Sequence, residues 1–220
     1  MSKKFSIVVL ISGSGSNLQA IMDQIDSGEI DAQISAVISN KSDAFGLQRA
    51  QNAGIPNLVL EHKHFLDRES FDQSLAQIIE SYEPDLIVLA GFMRILSDEF
   101  VKQFQNKLIN IHPSLLPKYR GLHTHKRALE DFASHKTKNH GASVHFVIPE
   151  LDAGTVILHG KTQILNNDTE ESLRKRVHKL EHIIYPTVVK WLANGDLQLN
   201  HGKLSLNGKE LLMPEVVTLD

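Results

Sequence analysis

The first half of the chain alternates short apolar runs with segments of helical spacing. Phe5–Ser12 is a continuous apolar run, Asn17–Ile25 has apolar positions at helical intervals, and Ala32–Ser39 is again strand-like. Ala44–Ala53 reads as a helix stopped by Gly54, with Pro56 just beyond. Asn57–Leu60 is a short strand, and Arg68–Ser81 a helix with Phe71, Leu75, Ile78 and Ile79 on its apolar face. Asp85–Ala90 (DLIVLA), between Pro84 and Gly91, has the pattern of a strand covered on both faces. This β-α order predicts an α/β protein with a doubly wound, mostly parallel sheet and a Rossmann-like N-terminal half. Ligands of such sheets sit beyond the carboxyl ends of the strands, here just after Ser12, Ala90 and Ile111.

The pattern changes in the second half. Leu108–Ile111 is a short strand followed by a loop holding Pro113, Pro117 and Gly121. Ala142–Ile148 and Thr155–Ile164 are two more strands, and Thr169–Leu192 a long helical stretch interrupted near Pro186. Asp196–Leu212 reads as a hairpin turning at Asn207-Gly208. With no linker, repeat or low-complexity segment, residues 1–220 are expected to form one domain, in two halves that meet near 110.

Composition narrows the function. The 220 residues are 41% hydrophobic and 22% charged, an ordinary globular balance. There is no cysteine, which removes disulfides and cysteine-bound zinc. The net charge of −3 lacks the basic surplus of a protein that binds bulk nucleic acid. No apolar stretch approaches the roughly 18 residues of a membrane span. The apolar run at Ile7–Ile11 is too short for a signal peptide. Together these point to a soluble cytoplasmic protein, with twelve histidines that invite a search for a metal or proton-handling site.

Three motifs could carry chemistry. Ser12-Gly13-Ser14-Gly15-Ser16-Asn17-Leu18 lies between the first strand and first helix, where backbone N–H groups and the helix terminus favour an anion. It lacks the lysine of a Walker loop and the third glycine of a dinucleotide fingerprint. A mononucleotide-type phosphate cradle remains, beside the plainer reading of a tight turn capped by Ser16 or Asn17. In the second motif, period two puts Asn110 and His112 on one face of a strand end, where an amide and an imidazole could hold one carbonyl oxygen and handle one proton. The plainer reading is a capped strand end with a polar turn, and an Asn or a His taken singly is more often structural than catalytic. The third is Asp152, after the strand carrying His145; a carboxylate near an imidazole favours the charged ring, and an Asx-turn is the alternative. His178-Lys179-Leu180-Glu181-His182 matches a zinc-protease pattern without a further ligand, and His62, His64, His123 and His125 read as loop histidines. Phe92–Leu96 places an apolar set where such a sheet binds ligands, and reads as core equally well.

In combination, LISGSGSNLQAI, AGFMRIL, INIHPSLLPKYRGLHTH and GASVHFVIPELDAG resemble the phosphoribosylglycinamide formyltransferase family, in order from about Ile7 to Pro186. The resemblance implies the formyltransferase fold and transfer of a formyl group from 10-formyltetrahydrofolate, used as co-substrate, to the amine of glycinamide ribonucleotide. This is a step of purine synthesis, and no metal is involved. The family's catalytic trio falls on Asn110, His112 and Asp152, with His145 nearby. Gly15, Ser16 and Asn17 would meet the phosphate and ribose, and Glu181 the glycinamide end. Folate contacts would come from Arg68, Met93, Arg94, Ile95, Leu96 and Asn110, and from Ile148, Pro149, Glu150, Leu151 and Asp152. The chain departs from the family at Ala153 and Thr155, where relatives often carry Gly and Pro. The implied partners are small molecules, not nucleic acid or membrane, and the implied assembly is a monomer or homodimer. The related formyltetrahydrofolate deformylases carry an extra N-terminal domain and methionyl-tRNA formyltransferases a C-terminal RNA-binding one, and neither is expected here. A catalytically dead nucleotide-binding module on the same fold is the third alternative.

Overall fold

The computed structural model describes residues 3–200 and 202–219. Strand β1 (Phe5–Ile11) is buried along nearly its whole length, which is why its sequence is apolar on both alternating faces. It leads into α1 (Ser16–Asp26), β2 (Ala32–Ser39), α2 (Phe45–Asn52) and the short β3 (Asn57–Val59). A 3-10 turn at His62–His64 precedes α3 (Arg68–Glu80), which Asp67 caps by accepting a 2.7 Å hydrogen bond from the Ser70 amide. Then come β4 (Leu86–Leu89), the short α4 (Asp98–Gln103) and β5 (Leu108–His112).

The chain divides into two compact units, Met1–Asn110 with Val147–Pro149, and Ile111–Phe146 with Glu150–Asp220. In the first, the strands run in the order β5-β4-β1-β2-β3, all parallel, as the alternating pattern predicts. Its core packs Val8, Leu10, Ile87 and Leu89 against Phe71, Leu75 and Ile79 of α3 and against Phe100 and Phe104.

In the second unit, α5 (Thr124–Ala133) precedes an antiparallel pair, β6 (Asn139–Phe146) and β7 (Val156–Gln163). Helix α6 (Glu170–Ala193) lies on this pair, and its N-terminus carries a reciprocal capping box between Thr169 and Ser172. After it come β8 (Leu197–Asn200), β9 (Lys203–Leu206), β10 (Lys209–Glu210) and β11 (Glu215–Leu219). Strands β8, β9 and β10 form a small antiparallel sheet, and β11 returns to pair in parallel with β7. Among the described residues no helix is long and apolar enough to cross a membrane.

The structure differs from the sequence reading at several points. Helix α6 is not interrupted at Pro186 but runs through it. Proline cannot donate to the carbonyl four residues back, yet Pro186 is buried among Tyr185, Val188 and Val189, and burial of that face outweighs the lost bond. The Thr187 hydroxyl donates 2.7 Å to the Ile183 carbonyl in the same turn. Asn207-Gly208 makes the second turn of a three-stranded meander, from β9 to β10, rather than the tip of one hairpin. Strand β6 begins at Asn139 and ends at Phe146, not 142–148. Helices α4 and α5 and strand β11 lie in segments where no element was expected.

The β6–β7 pair tolerates no side chain at Gly141. A Cβ there would stand 1.8 Å from the Gly160 carbonyl oxygen and 2.9 Å from Leu115 Cδ2. Gly141→Ala is therefore expected to destabilise the protein by at least about 3 kcal/mol, the upper end of ordinary overpacking. Urea unfolding followed by circular dichroism checks this, and a loss below about 1 kcal/mol would contradict the packing.

Candidate active site

Each unit presents polar groups beyond the ends of its strands. In the first, β1 delivers Ser12 and the glycine loop to the start of α1. The expected cap by Ser16 or Asn17 is not made; the N-cap is Gly15, at φ 67°, with no side-chain cap bond. The reason is close approach: a Cβ on Gly15 would stand 2.5 Å from Cα of Gly46, whose N–H donates 3.0 Å to the Gly13 carbonyl. Arg49 of α2 closes the loop further, donating 2.9 Å to the Ser14 carbonyl and 3.0 Å to the Gln19 side chain. Gly15, Ser16 and Asn17 thus sit in a braced strand-to-helix turn with the N-terminus of an 11-residue helix behind them.

The Ser12 hydroxyl donates 2.5 Å to Asn40 at the end of β2 and accepts 2.8 Å from the Met93 amide. Met93 opens the extended segment after β4, in which Leu96 is buried while Met93 and Ile95 are 65% and 57% exposed. The Arg94 guanidinium lies 4.4 Å from the centre of the Phe71 ring, a cation-π distance. Arg68 starts α3 and pairs with Glu69 at 3.1 Å. Asn110 is half-buried on β5, and Ile148 and Pro149 belong to this unit.

The second unit brings together residues far apart in sequence. Asp152, at φ 49°, is the organising group: its Oδ2 accepts 2.9 Å from the Gly121 amide and lies 3.4 Å from His112 Nδ1. Its Oδ1 is 3.9 Å from His145 Nε2. His112 Nε2 donates 3.0 Å to the Tyr119 carbonyl, and His145 Nδ1 donates 2.9 Å to that of Phe146. Glu150 is held by Arg120 at 2.6 Å, and Leu151 is exposed. Glu181 is half-buried midway along α6, between His178 and His182, whose rings lie 4.3 Å apart. Among the described residues no group of three or more His, Cys, Asp or Glu is placed to hold a metal.

Sequence reasoning missed the Tyr119 carbonyl and the Gly121 amide, backbone groups that no residue type signals. It also took His125 for a loop histidine. His125 lies on α5, and its Nδ1 is 3.0 Å from Nε2 of the fully buried His140. The Ser143 hydroxyl likewise escaped notice: it donates 2.6 Å to the Ser114 carbonyl and accepts 3.0 Å from the Leu116 amide and 2.8 Å from His159 Nδ1. One hydroxyl thus fixes the loop that follows His112.

The first unit thus holds a glycine loop between β1 and α1, and the second a buried His–Asp pair at the end of β5, a pairing suited to handling a proton. The formyl transferase family model matches residues 5–189, and the chain belongs to that family. It is 50% identical over 206 residues to the phosphoribosylglycinamide formyltransferase of Escherichia coli (strain K12), covering 94% of this chain and 95% of that protein. Over 203 residues it is 43% identical to the human trifunctional purine biosynthetic protein adenosine-3, matching 92% of this chain and 20% of the longer protein. The solved phosphoribosylglycinamide formyltransferase from Coxiella burnetii superposes with a TM-score of 0.90 at 48% identity, over 97% of this chain and 99% of that one.

The buried histidines set an acid limit on stability. Burial, reinforced by the charges of His125 and His112, pushes His140 down from 6.5 to about 3. Burial also lowers His125, His145 and His159. The unfolded chain takes up a proton near 6.5 while native His140 resists one until about 3. Stability is then complete above 6.5 and falls as pH drops from there towards 3. The urea midpoint is expected to be lower at pH 5.0 than at pH 7.5, and the drop to be smaller in His140→Gln. A midpoint that does not move between those pH values would contradict neutral burial.

Proposed function

We infer that the protein transfers the formyl group of 10-formyltetrahydrofolate to the amine of glycinamide ribonucleotide, releasing tetrahydrofolate, as one step of purine synthesis. The observation that carries this reading is the His112–Asp152 pair. Its ring already donates from Nε2 to one carbonyl oxygen and turns Nδ1 to a buried carboxylate. A ring with its proton on Nε2 and a carboxylate beside Nδ1 offers the donor that an oxygen needs as it gains negative charge.

In the reaction the ribonucleotide's amine attacks the formyl carbon and the carbonyl oxygen becomes an oxyanion. Asn110 and His112 hydrogen-bond that oxygen, which takes over the Nε2 proton now given to the Tyr119 carbonyl, a role worth about 2.7–4 kcal/mol per donor in comparable sites. Asp152 keeps His112 oriented, and helps carry the amine's proton to the departing folate nitrogen. The tetrahedral intermediate then collapses with cleavage of the bond from the formyl carbon to that nitrogen. Gly15, Ser16 and Asn17 take the phosphate and ribose at the helix N-terminus, where N–H groups and the helix dipole favour a dianion. Glu181 takes the glycinamide end. Arg68, Met93, Arg94, Ile95, Leu96 and Asn110 contact the folate, together with Ile148, Pro149, Glu150, Leu151 and Asp152. The protein works in the cytoplasm, as a monomer or homodimer.

The founding test is the absorbance change on folate release from 10-formyltetrahydrofolate, with and without glycinamide ribonucleotide. Release that requires the ribonucleotide is expected; an equal rate without it would make the protein a hydrolase. His112→Ala is expected to lower kcat by about a hundred- to ten-thousandfold, the usual range for a lost acid–base group, and to leave ligand binding by calorimetry within a fewfold. Unchanged turnover in that variant would remove His112 from the chemistry.

A further inference from the structure

The segment from Phe92 to Ser97 has no regular secondary structure, yet its side chains sort cleanly. Phe92 and Leu96 point into the core cluster of the first unit, and Met93 and Ile95 point out. An irregular strip that displays apolar groups would normally be loose, since no ladder of backbone bonds fixes it. Here two buried side chains from distant parts of the unit take hold of its ends. At the start, the Met93 amide donates 2.8 Å to the Ser12 hydroxyl, itself bonded to Asn40. At the finish, the Ser97 amide donates 2.5 Å to Oδ2 of Asp72, a residue of α3 that is 1% exposed.

Asp72 is costly as a merely structural residue. Its other oxygen is buried without a hydrogen bond, as is Nε of Arg94, the cation that stacks on neighbouring Phe71. Burying a carboxylate with one oxygen unsatisfied is unfavourable, and an uncharged acceptor would take the same amide bond at lower cost. Burial pushes the carboxyl up, and the bonds from Ser97 and the charges of Arg94 and Arg68 oppose that rise. A charge kept there holds the Ser97 end of the strip more firmly than a neutral acceptor would, since charge-assisted bonds are about twice as strong.

We propose that Ser12 and Asp72 are positioning residues that suspend the Met93–Leu96 strip at both ends and so preform the surface on which the folate co-substrate lies. This rests on the transferase reading above and extends it to residues that touch neither ligand. Preforming the strip lowers the ordering cost of binding. The two pins differ in reach: Asp72 holds only the far end of the strip, while Ser12 also stands at the foot of the phosphate loop and ties both ligand segments to one hydroxyl.

Steady-state kinetics with both substrates varied, on the wild type, Asp72→Ala, Asp72→Asn and Ser12→Ala, tests this. Asp72→Ala is expected to raise KM for 10-formyltetrahydrofolate about tenfold, with kcat and the ribonucleotide KM within twofold. Asp72→Asn, which keeps an acceptor for the Ser97 amide, recovers part of that loss. Ser12→Ala raises both KM values. A folate KM within twofold of wild type in Asp72→Ala, or a fall in kcat with both KM values unchanged, overturns the proposal. Should Asp72→Ala fail to fold by circular dichroism, an unchanged folate KM in Ser12→Ala overturns it alone, and a raised one sustains it. Wild-type protein without ribonucleotide-dependent folate release sinks the transferase reading itself, whereas wild-type turnover with unmoved KM values sinks only the positioning role.

Discussion

Much of the candidate site follows from the need to satisfy one buried carboxylate. The side chain of Asp152 is only 8% exposed, so its charge has to be met by donors. The Gly121 amide supplies one at 2.9 Å and His112 stands ready at 3.4 Å. Bringing Gly121 to that oxygen draws the loop after Pro117 back over the end of β5, and this is what presents the Tyr119 carbonyl to the other nitrogen of His112. Tyr119, His123 and Asp152 all take positive φ, a conformation uncommon for residues other than glycine. At Tyr119 and Asp152 it serves the meeting of the carboxylate, the ring and the loop, while His123 begins α5.

The same logic governs the first unit with a different balance. There a backbone strip and a glycine loop have few regular bonds of their own, and buried side chains supply them: Ser12, Asn40 and Asp72 for the strip, Arg49 for the loop. Glycine does the rest at Gly15 and Gly46, where two backbones come closer than any Cβ allows. Placing polar anchors beneath an apolar strip gives it rigidity without covering it, so Met93 and Ile95 stay exposed.

What the sequence disclosed depended on how many side chains an element buries. Strand β1 was legible because it is covered on both faces, and α3 because Phe71, Leu75, Ala76 and Ile79 form a stripe. Helix α5 (Thr124–Ala133) is amphipathic at helical spacing, but it buries only Thr124 and Ala128, and without a stripe of large apolar residues that spacing passed unnoticed. Helix α4 has six residues, too few to show a period. Pro186 misled because local propensity gave way to packing in a buried helix. At the site, Asn110 and His112 could be paired from strand period alone, but Asp152 lies forty positions beyond His112 and only the fold brings it to the ring. The family resemblance named that pairing before geometry could, and the backbone partners Tyr119 and Gly121 stayed invisible to both.

Burial acts in one direction on several histidines of the second unit. His125, His140, His145 and His159 are all pushed towards the neutral form by burial. Among these, His145 meets the same carboxylate as His112, but at the longer distance of 3.9 Å and with Nδ1 already committed to a carbonyl. Because burial disfavours the charged form of His145, that ring competes less for Asp152, whose nearer contact is His112 at 3.4 Å. Of the two rings at Asp152, His112 is thus the nearer, and its Nε2 proton is turned towards a carbonyl acceptor.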